Sequence, residues 1–224
     1  MERINPMRGL KGIYTDNRRR LYTKSLGGKF SVYGERLIKQ KDGVYREWNP
    51  ERSKLGAAIK CNISQIGIKP DSKVLYLGAA SGTTVSHVAD IVGENGFVYA
   101  LDSAPIPLRQ LFKVVNRWPN VAPLLFDAGK PEDYAHLVEE VDVVFQDIAQ
   151  RAQVRIFLDN CDKFLKQGGF GLLSLKAKSI DVTRKAKGIF VEVERMLAQR
   201  STIVDKRVLE PFEKDHCLFM IKKK

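Results

Sequence analysis

The sequence predicts an α/β protein, an open doubly wound sheet preceded by a small antiparallel β unit. Three observations carry that prediction. First, residues 73–102 read as a short apolar run (74–77), a turn of small residues from Gly78 to Gly82, a helical stripe of Val85, Val88, Ala89 and Val92, a glycine break at Gly93 and Gly96, and a second apolar run ending on Asp102. Strand, turn, helix, turn, strand and acid make one half of a doubly wound sheet. Second, Asp102, Asp127, Asp147 and Lys176 each close a strand-like run. Ligands of open parallel sheets bind outside the carboxyl ends of the strands, so four strands deliver polar groups to one edge. Third, the first 50 residues are strand formers punctuated by turn residues.

In order, residues 12–15, 20–24 and 43–48 alternate or carry strand formers, separated by turn signals at Asp16-Asn17, Gly27-Gly28 and Asp42-Gly43. This gives a small basic β domain over 1–50 and leaves 51–224 for the α/β domain. Asn49 followed by Pro50 is a helix start. Leu55, Ala58, Ile59 and Ile63 form the buried stripe of that helix, with Lys54 in its early turns. After the central unit, Leu108, Leu111, Phe112, Val115 and Trp118 mark a helix stopped by Pro119. Residues 121–126 are a third strand, 134–138 a short helix, 141–145 a fourth strand and 154–165 a helix. Past Gly168-Gly169, residues 170–175 are a fifth strand, 189–197 a helix, and 201–209 with 217–221 a closing strand pair. His87 and His136 read as helical, structural residues, and no metal-ligand spacing is visible.

Of 224 residues, 44% are hydrophobic, enough for a sizeable core. No apolar run approaches the roughly 20 residues of a membrane span, and residues 1–11 are basic without the apolar centre of a secretory signal. The expected location is therefore inside the cell. Cys61, Cys161 and Cys217 are scattered and fit reduced core thiols. Net charge is +12, and it is uneven: residues 1–60 hold 15 Lys or Arg against 6 Asp or Glu, while 61–224 hold 23 against 20. Charge gathered in one segment points to a polyanion, most simply nucleic acid; a solvated basic surface is the alternative.

The turn after the first central strand is Gly78-Ala79-Ala80-Ser81-Gly82-Thr83-Thr84. It lacks the G-x-G-x-x-G that cradles a pyrophosphate, which disfavours a dinucleotide. At Gly78 and Ala79 a ligand can approach the backbone closely, and the helix start offers free N–H groups. With an acid ending the next strand, the set suits an adenosyl group without phosphate, S-adenosylmethionine first; a generic α/β turn is the alternative. Asp102 suits ribose hydroxyls as a two-oxygen acceptor. Asp127 suits the adenine amine, with the Ala128 N–H as a donor to the ring. Methyl transfer to a ribose hydroxyl needs alignment and removal of a proton from a weak nucleophile. Lys54, Asp147 and Lys176 can form a lysine–aspartate–lysine set for that step. His216, in Glu210-Pro211-Phe212-Glu213-Lys214-Asp215-His216, reaches the same edge or else belongs to a charged hairpin.

At these residues the sequence resembles the fibrillarin family. The matching stretches are Trp48-Asn49-Pro50 with Arg52-Ser53-Lys54, Tyr76 through Thr84, Val98-Tyr99-Ala100, Asp127-Ala128 with Lys130-Pro131, Asp147-Ile148-Ala149-Gln150, Lys176 through Thr183, and Glu210 through His216. The resemblance implies a seven-stranded Rossmann-like methyltransferase sheet behind a small N-terminal β domain. It implies S-adenosylmethionine as donor and the ribose 2′-hydroxyl of rRNA or tRNA as acceptor. It further implies a box C/D guide RNA, a Nop-type scaffold and a kink-turn-binding protein as partners. The lack of a Gly/Arg-rich tail is similar to the archaeal type, hence cytoplasmic. Carried over, Thr83, Thr84, Asp102, Ser103, Asp127, Ala128 and Asp147, Ile148, Ala149 and Gln150 line the cofactor site. Lys54, Asp147 and Lys176 are catalytic, with His216 a fourth member. The chain departs from the family pattern at Asp102, where a Glu followed by an aromatic is expected, and at Gln146 and Arg151-Ala152 around Asp147. The competing readings are an RNA-binding scaffold that has lost its chemistry and a methyltransferase for protein or small molecules. Retention of Lys54, Asp147 and Lys176 opposes the first, and the basic N-terminal unit opposes small molecules.

Overall fold

The computed structural model describes residues 3–224. An N-terminal antiparallel sheet holds β1 (Asn5–Pro6), β2 (Ile13–Thr15), β3 (Leu21–Lys24), β4 (Leu37–Gln40) and β5 (Gly43–Trp48), in the order β1-β2-β3-β5-β4. A seven-stranded sheet follows: β6 (Lys73–Leu77), β7 (Phe97–Asp102), β8 (Val121–Leu125), β9 (Val141–Gln146), β10 (Leu165–Lys176), β11 (Ser201–Val208) and β12 (His216–Lys223). Their order is β11-β12-β10-β9-β6-β7-β8. The run from β10 to β8 is parallel, while β12 lies antiparallel to both β10 and β11.

Helices cover both faces, so the central strands are mostly apolar rather than alternating with polar residues. Val74 and Tyr76 of β6 point to the face packed by α1 (Lys54–Lys60), α2 (Thr83–Val92) and α3 (Pro105–Val115). Leu75 and Leu77 point to the face packed by α4 (Gln153–Phe164) and α6 (Ala186–Arg200). The same period of two continues through β7 and, from Val143 onward, through β9. Each such fully buried aliphatic side chain contributes about 1.5–3 kcal/mol. A short helix, α5 (Ala177–Ile180), follows β10. Among the described residues, no helix is long and apolar enough to cross a membrane.

The N-terminal sheet is joined to α2 by buried charge. Arg46 of β5 is fully buried and pairs with Asp90 at 2.8 Å and Glu35 at 2.7 Å, and its guanidinium also donates to Ser86 at 2.8 Å. Asp90 accepts further bonds from Thr23 at 2.7 Å, the Leu26 N–H at 2.9 Å and the Trp118 indole at 2.6 Å. His87 lies beside it, bonded to Thr23 at 2.7 Å and Tyr33 at 2.8 Å.

Several local expectations are corrected. Asn49 caps only a 3-10 turn, Pro50–Arg52; the cap of α1 is Ser53, whose hydroxyl accepts the Gly56 N–H at 3.2 Å. Lys54 is therefore the first residue of α1, and Ile63 lies beyond its end. The buried stripe of α3 is Leu108, Leu111 and Val114, while Phe112 is 51% exposed. Residues 134–138 form no helix: a 3-10 turn spans Pro131–Tyr134, and His136 sits exposed in the turn after it. A proline, two acids and a tyrosine in four residues suit one tight turn, not a stripe. Strand β4 escaped notice because Leu37-Ile38-Lys39-Gln40 is short and half polar, although Asp42-Gly43 marks its hairpin with β5.

Candidate active site

The larger sheet reverses its order between β6 and β9, because the chain leaves β6 through α2 for β7 while β9 flanks the other side. Such a switch point opens a crevice at the carboxyl ends. Gly78 follows β6 and Asp147 follows β9. Gly78 has φ +88°, and a Cβ there would stand 2.3 Å from the Asp147 carbonyl oxygen, so the turn admits only glycine. The Gly78 and Ala79 N–H groups donate to the Leu101 carbonyl at 2.8 and 3.0 Å, and the Asp147 N–H to that of Leu77 at 2.9 Å. Three strand ends are thereby fixed to one another. Asp102 closes β7 and accepts the Ala80 N–H on Oδ2 and the Ala104 N–H on Oδ1, each at 2.8 Å. Its carboxylate is held in one orientation with lone pairs to spare.

These groups surround a cavity of about 240 Å³. Eight of the cofactor candidates line it: Gly78, Asp102, Ser103, Ala128, Asp147, Ile148, Ala149 and Gln150. Four do not. Ala79 is buried under the turn. Thr83 opens on a second cleft, beside Tyr33 and Arg52. The Thr84 hydroxyl donates to Ser53 Oγ at 3.0 Å, which ties α2 to the cap of α1. Asp127 is exposed next to Ala128, with Oδ1 accepting the Gly129 N–H at 2.8 Å. Two lining residues were not foreseen, Ala80 and Leu101. Ala80 lies within the turn itself and takes φ +47°, which its N–H bond to Asp102 supports. A larger cavity of about 520 Å³ opens at the other end of the sheet, by Lys73, Phe97 and Glu139. It contains none of the candidate residues and lies at the ends of β6 and β7 where open sheets do not bind ligands.

Lys54 reaches Asp147 with Nζ 3.3 Å from Oδ2, the two side chains being 28% and 19% exposed. Burial raises the Asp147 pKa above the ordinary aspartate range, and Lys54 opposes that rise. Lys176 ends β10. Its backbone N–H donates to Gln153 Oε1 and its carbonyl accepts from Gln153 Nε2, both at 3.1 Å, while the Gln153 carbonyl is fixed by Gln146 Nε2 at 2.6 Å. The lysine is exposed, and its ammonium has no ion-pair partner among the described residues. Across the β10–β12 ladder its partner is His216, which is buried. His216 Nδ1 lies 2.7 Å from the Lys214 carbonyl, a pure acceptor, so Nδ1 carries a hydrogen. His216 and Glu213 are both close enough to Asp147 to act on its charge. The structure thus joins Lys54 to Asp147 directly and sets Lys176 beside His216 at the same carboxyl edge. A cradle of small residues, a fixed diol acceptor and a lysine–carboxylate pair suit an adenosyl donor and an attacking hydroxyl.

The family model for Fibrillarin matches residues 4–224. The chain belongs to the fibrillarin family. A fibrillarin-like rRNA/tRNA 2′-O-methyltransferase of Pyrococcus horikoshii is 48% identical to this chain over 216 residues, 95% of each chain. The structure of Aeropyrum pernix fibrillarin with natively bound S-adenosyl-L-methionine superposes with a TM-score of 0.89 at 38% identity, covering 99% of this chain and 100% of that one. A fibrillarin in a fibrillarin/Nop5p complex superposes with a TM-score of 0.87 at 40% identity, covering 96% and 99%. The seven-stranded sheet and its antiparallel N-terminal companion are therefore the fold of this family.

Proposed function

We propose that the protein is an RNA 2′-O-methyltransferase that moves a methyl group from S-adenosylmethionine to the ribose 2′-hydroxyl of rRNA or tRNA. The observation that carries this is the Lys54–Asp147 pair at the rim of the switch-point cavity, in a chain of the fibrillarin family. Bound there, the cofactor supplies a methyl group on a positively charged sulfur. Asp102, with both oxygens oriented by the turn, holds the ribose diol, and its short side chain brings that diol close to β7. Gly78 and Ala80 admit the ligand against the backbone. Ala128, Ile148, Ala149 and Gln150 enclose the base, and the exposed Asp127 takes the adenine amine at the rim. Thr84 ties the start of α2 to the cap of α1 beside Lys54, and Thr83 stands on the far side of the turn from the cofactor.

Lys54 holds the Asp147 carboxylate beside the reacting centre and offsets part of the cost of burying it. Lys176 Nζ, a cation with its backbone gripped by Gln153, meets the acceptor 2′-oxygen and stabilises the negative charge that develops on it as its proton passes to the Asp147 carboxylate. His216 sets the end of the β10–β12 ladder beneath that lysine. We read residues 1–50 as an RNA-facing domain and 51–224 as the methyltransferase domain. The enzyme works in the cytoplasm of an archaeal cell within a box C/D particle. Guide RNA, a Nop-type scaffold and a kink-turn-binding protein supply its target.

Equilibrium dialysis with labelled S-adenosylmethionine tests the site. The isolated chain binds the donor, Asp102→Ala loses most of that binding, and Lys176→Ala retains it. Failure of the unaltered chain to bind the donor contradicts the reading.

A further inference from the structure

A second cleft, of about 200 Å³, lies on the α3 side of the glycine turn. Phe30, Tyr33, Arg52, Thr83, Gln110 and Lys113 are among its lining residues. It runs between the N-terminal sheet's connecting loop and α3, and it begins at Ser81 and Thr83, the same turn whose other side holds the switch-point cavity. Arg52 and Lys54 flank Ser53, so the cleft and the Lys54–Asp147 pair are separated by one residue of chain.

Its charge is unbalanced. Residues 103–126 contain Arg109, Lys113 and Arg117 and no Asp or Glu. The three recur at intervals of four, on one face of α3 and its C-terminal turn, and all are exposed. Like charges so spaced repel, and the helix gives them no acid to offset it. None of the three has an ion-pair partner among the described residues. Elsewhere on the surface, by contrast, Lys73, Lys163, Lys166 and Lys206 each pair with an acid. Two guanidinium groups are also pre-positioned on aromatic rings. Arg52 lies 5.2 Å over Tyr33 and donates to the Tyr33 carbonyl at 3.3 Å, and Arg117 lies 5.4 Å over Phe30. Stacking occupies the flat face of each guanidinium and leaves its N–H edge for a phosphate. One face of each ring is taken by a guanidinium, which favours backbone over bases in the cleft.

The geometry points to this cleft as a track for the sugar–phosphate backbone of the acceptor RNA strand, running from Arg117 past Lys113 and Arg52 to the reacting ribose. This rests on the RNA reading above. Phosphate contacts fix register and orientation without reading sequence, which is what a site served by many targets requires.

The test uses Lys113→Gln, Arg117→Gln and the double variant with the full chain. Binding of a short single-stranded RNA is followed by fluorescence anisotropy across a salt series, and the KM for target RNA is measured in the assembled particle. S-adenosylmethionine binding and the melting temperature are recorded alongside. The expected result is weaker RNA binding of equal size for unrelated sequences, a log–log salt slope reduced by about 0.7 per cation removed, and a raised KM. Donor binding and melting are unchanged. Wild-type affinity, slope and KM in all three variants overturn the track. If the wild type itself transfers no methyl group to RNA, the parent reading fails; if it does and the variants match it, only the track fails. Charge reversal, Lys113→Glu, must weaken binding further, and equal binding would also overturn the proposal.

Discussion

Asp147 stands where chemistry and stability oppose each other. Burial raises its pKa in the folded chain, Lys54 only partly offsets this, and an aspartate with a raised folded pKa costs stability at neutral pH, where it must ionise. Asp147→Asn keeps the shape and removes the charge. It is expected to lower methyl transfer by at least about a hundredfold, the scale of losing one positioned proton-handling group. Calorimetry of the same variant should show a melting temperature equal to or above that of the unaltered protein. Gly78→Ala behaves oppositely. Its Cβ meets the Asp147 carbonyl in a left-handed backbone, so donor binding and roughly 1–3 kcal/mol of stability are lost together. At this scale the site was partly legible. Asp102, Asp147 and Lys176 were visible because each closes an apolar run. The turn at Ala80 was not, since its conformation depends on a carboxylate 22 residues away. Ser53 carried an ordinary N-cap signal, next to Lys54, that Asn49-Pro50 masked.

At the scale of elements, the parallel strands were readable because both faces are covered and the runs are mostly apolar, with Asp142 and Ser174 among the breaks in β9 and β10. The pieces that escaped were those fixed from outside. β4 owes its existence to pairing with β5, and the 3-10 turn at Pro131–Tyr134 is held by Tyr134 packed against Phe164. On α3 the buried face shifted by a residue, to Val114 in place of Phe112 and Val115, because Leu111 and Val114 must close over Gly82. The joint between β5 and α2 is the element whose loss should be most damaging. Arg46→Ala leaves Asp90 and Glu35 buried without their cation, and costs about 3–5 kcal/mol. A urea midpoint for Arg46→Ala within error of the unaltered protein would show that the network is not what holds the two sheets.

For the whole molecule, pH exposes the same joint. Burial depresses the His87 pKa well below the ordinary histidine value, so the folded protein holds it neutral while the unfolded chain takes up a proton below about pH 6.5. Stability from this group is full above that pH and declines as pH falls. Glu35 is held low, burial being outweighed by Arg46 and backbone N–H groups, so its contribution is lost further down, through the carboxylate range. Melting temperature should therefore be level from pH 7 to 8 and fall below about 6.5, and His87→Gln should flatten the first part of that fall. The uneven charge of the chain was legible from composition alone. That two of its cations line a cleft at the glycine turn was not, because Arg52 and Lys113 come together, with Arg117 stacked on Phe30, only when the N-terminal sheet packs beside α3.

The most direct test is site-resolved methyl transfer from labelled S-adenosylmethionine to a target RNA, in a particle assembled with box C/D guide, scaffold and kink-turn protein. Unaltered protein is compared with Lys176→Ala and Asp147→Ala. Label at a single guide-specified 2′-oxygen, lost in both variants while Lys176→Ala still binds the donor, is the predicted result. Undiminished transfer by Lys176→Ala and Asp147→Ala, or no transfer by an assembled particle that binds the donor, would contradict it.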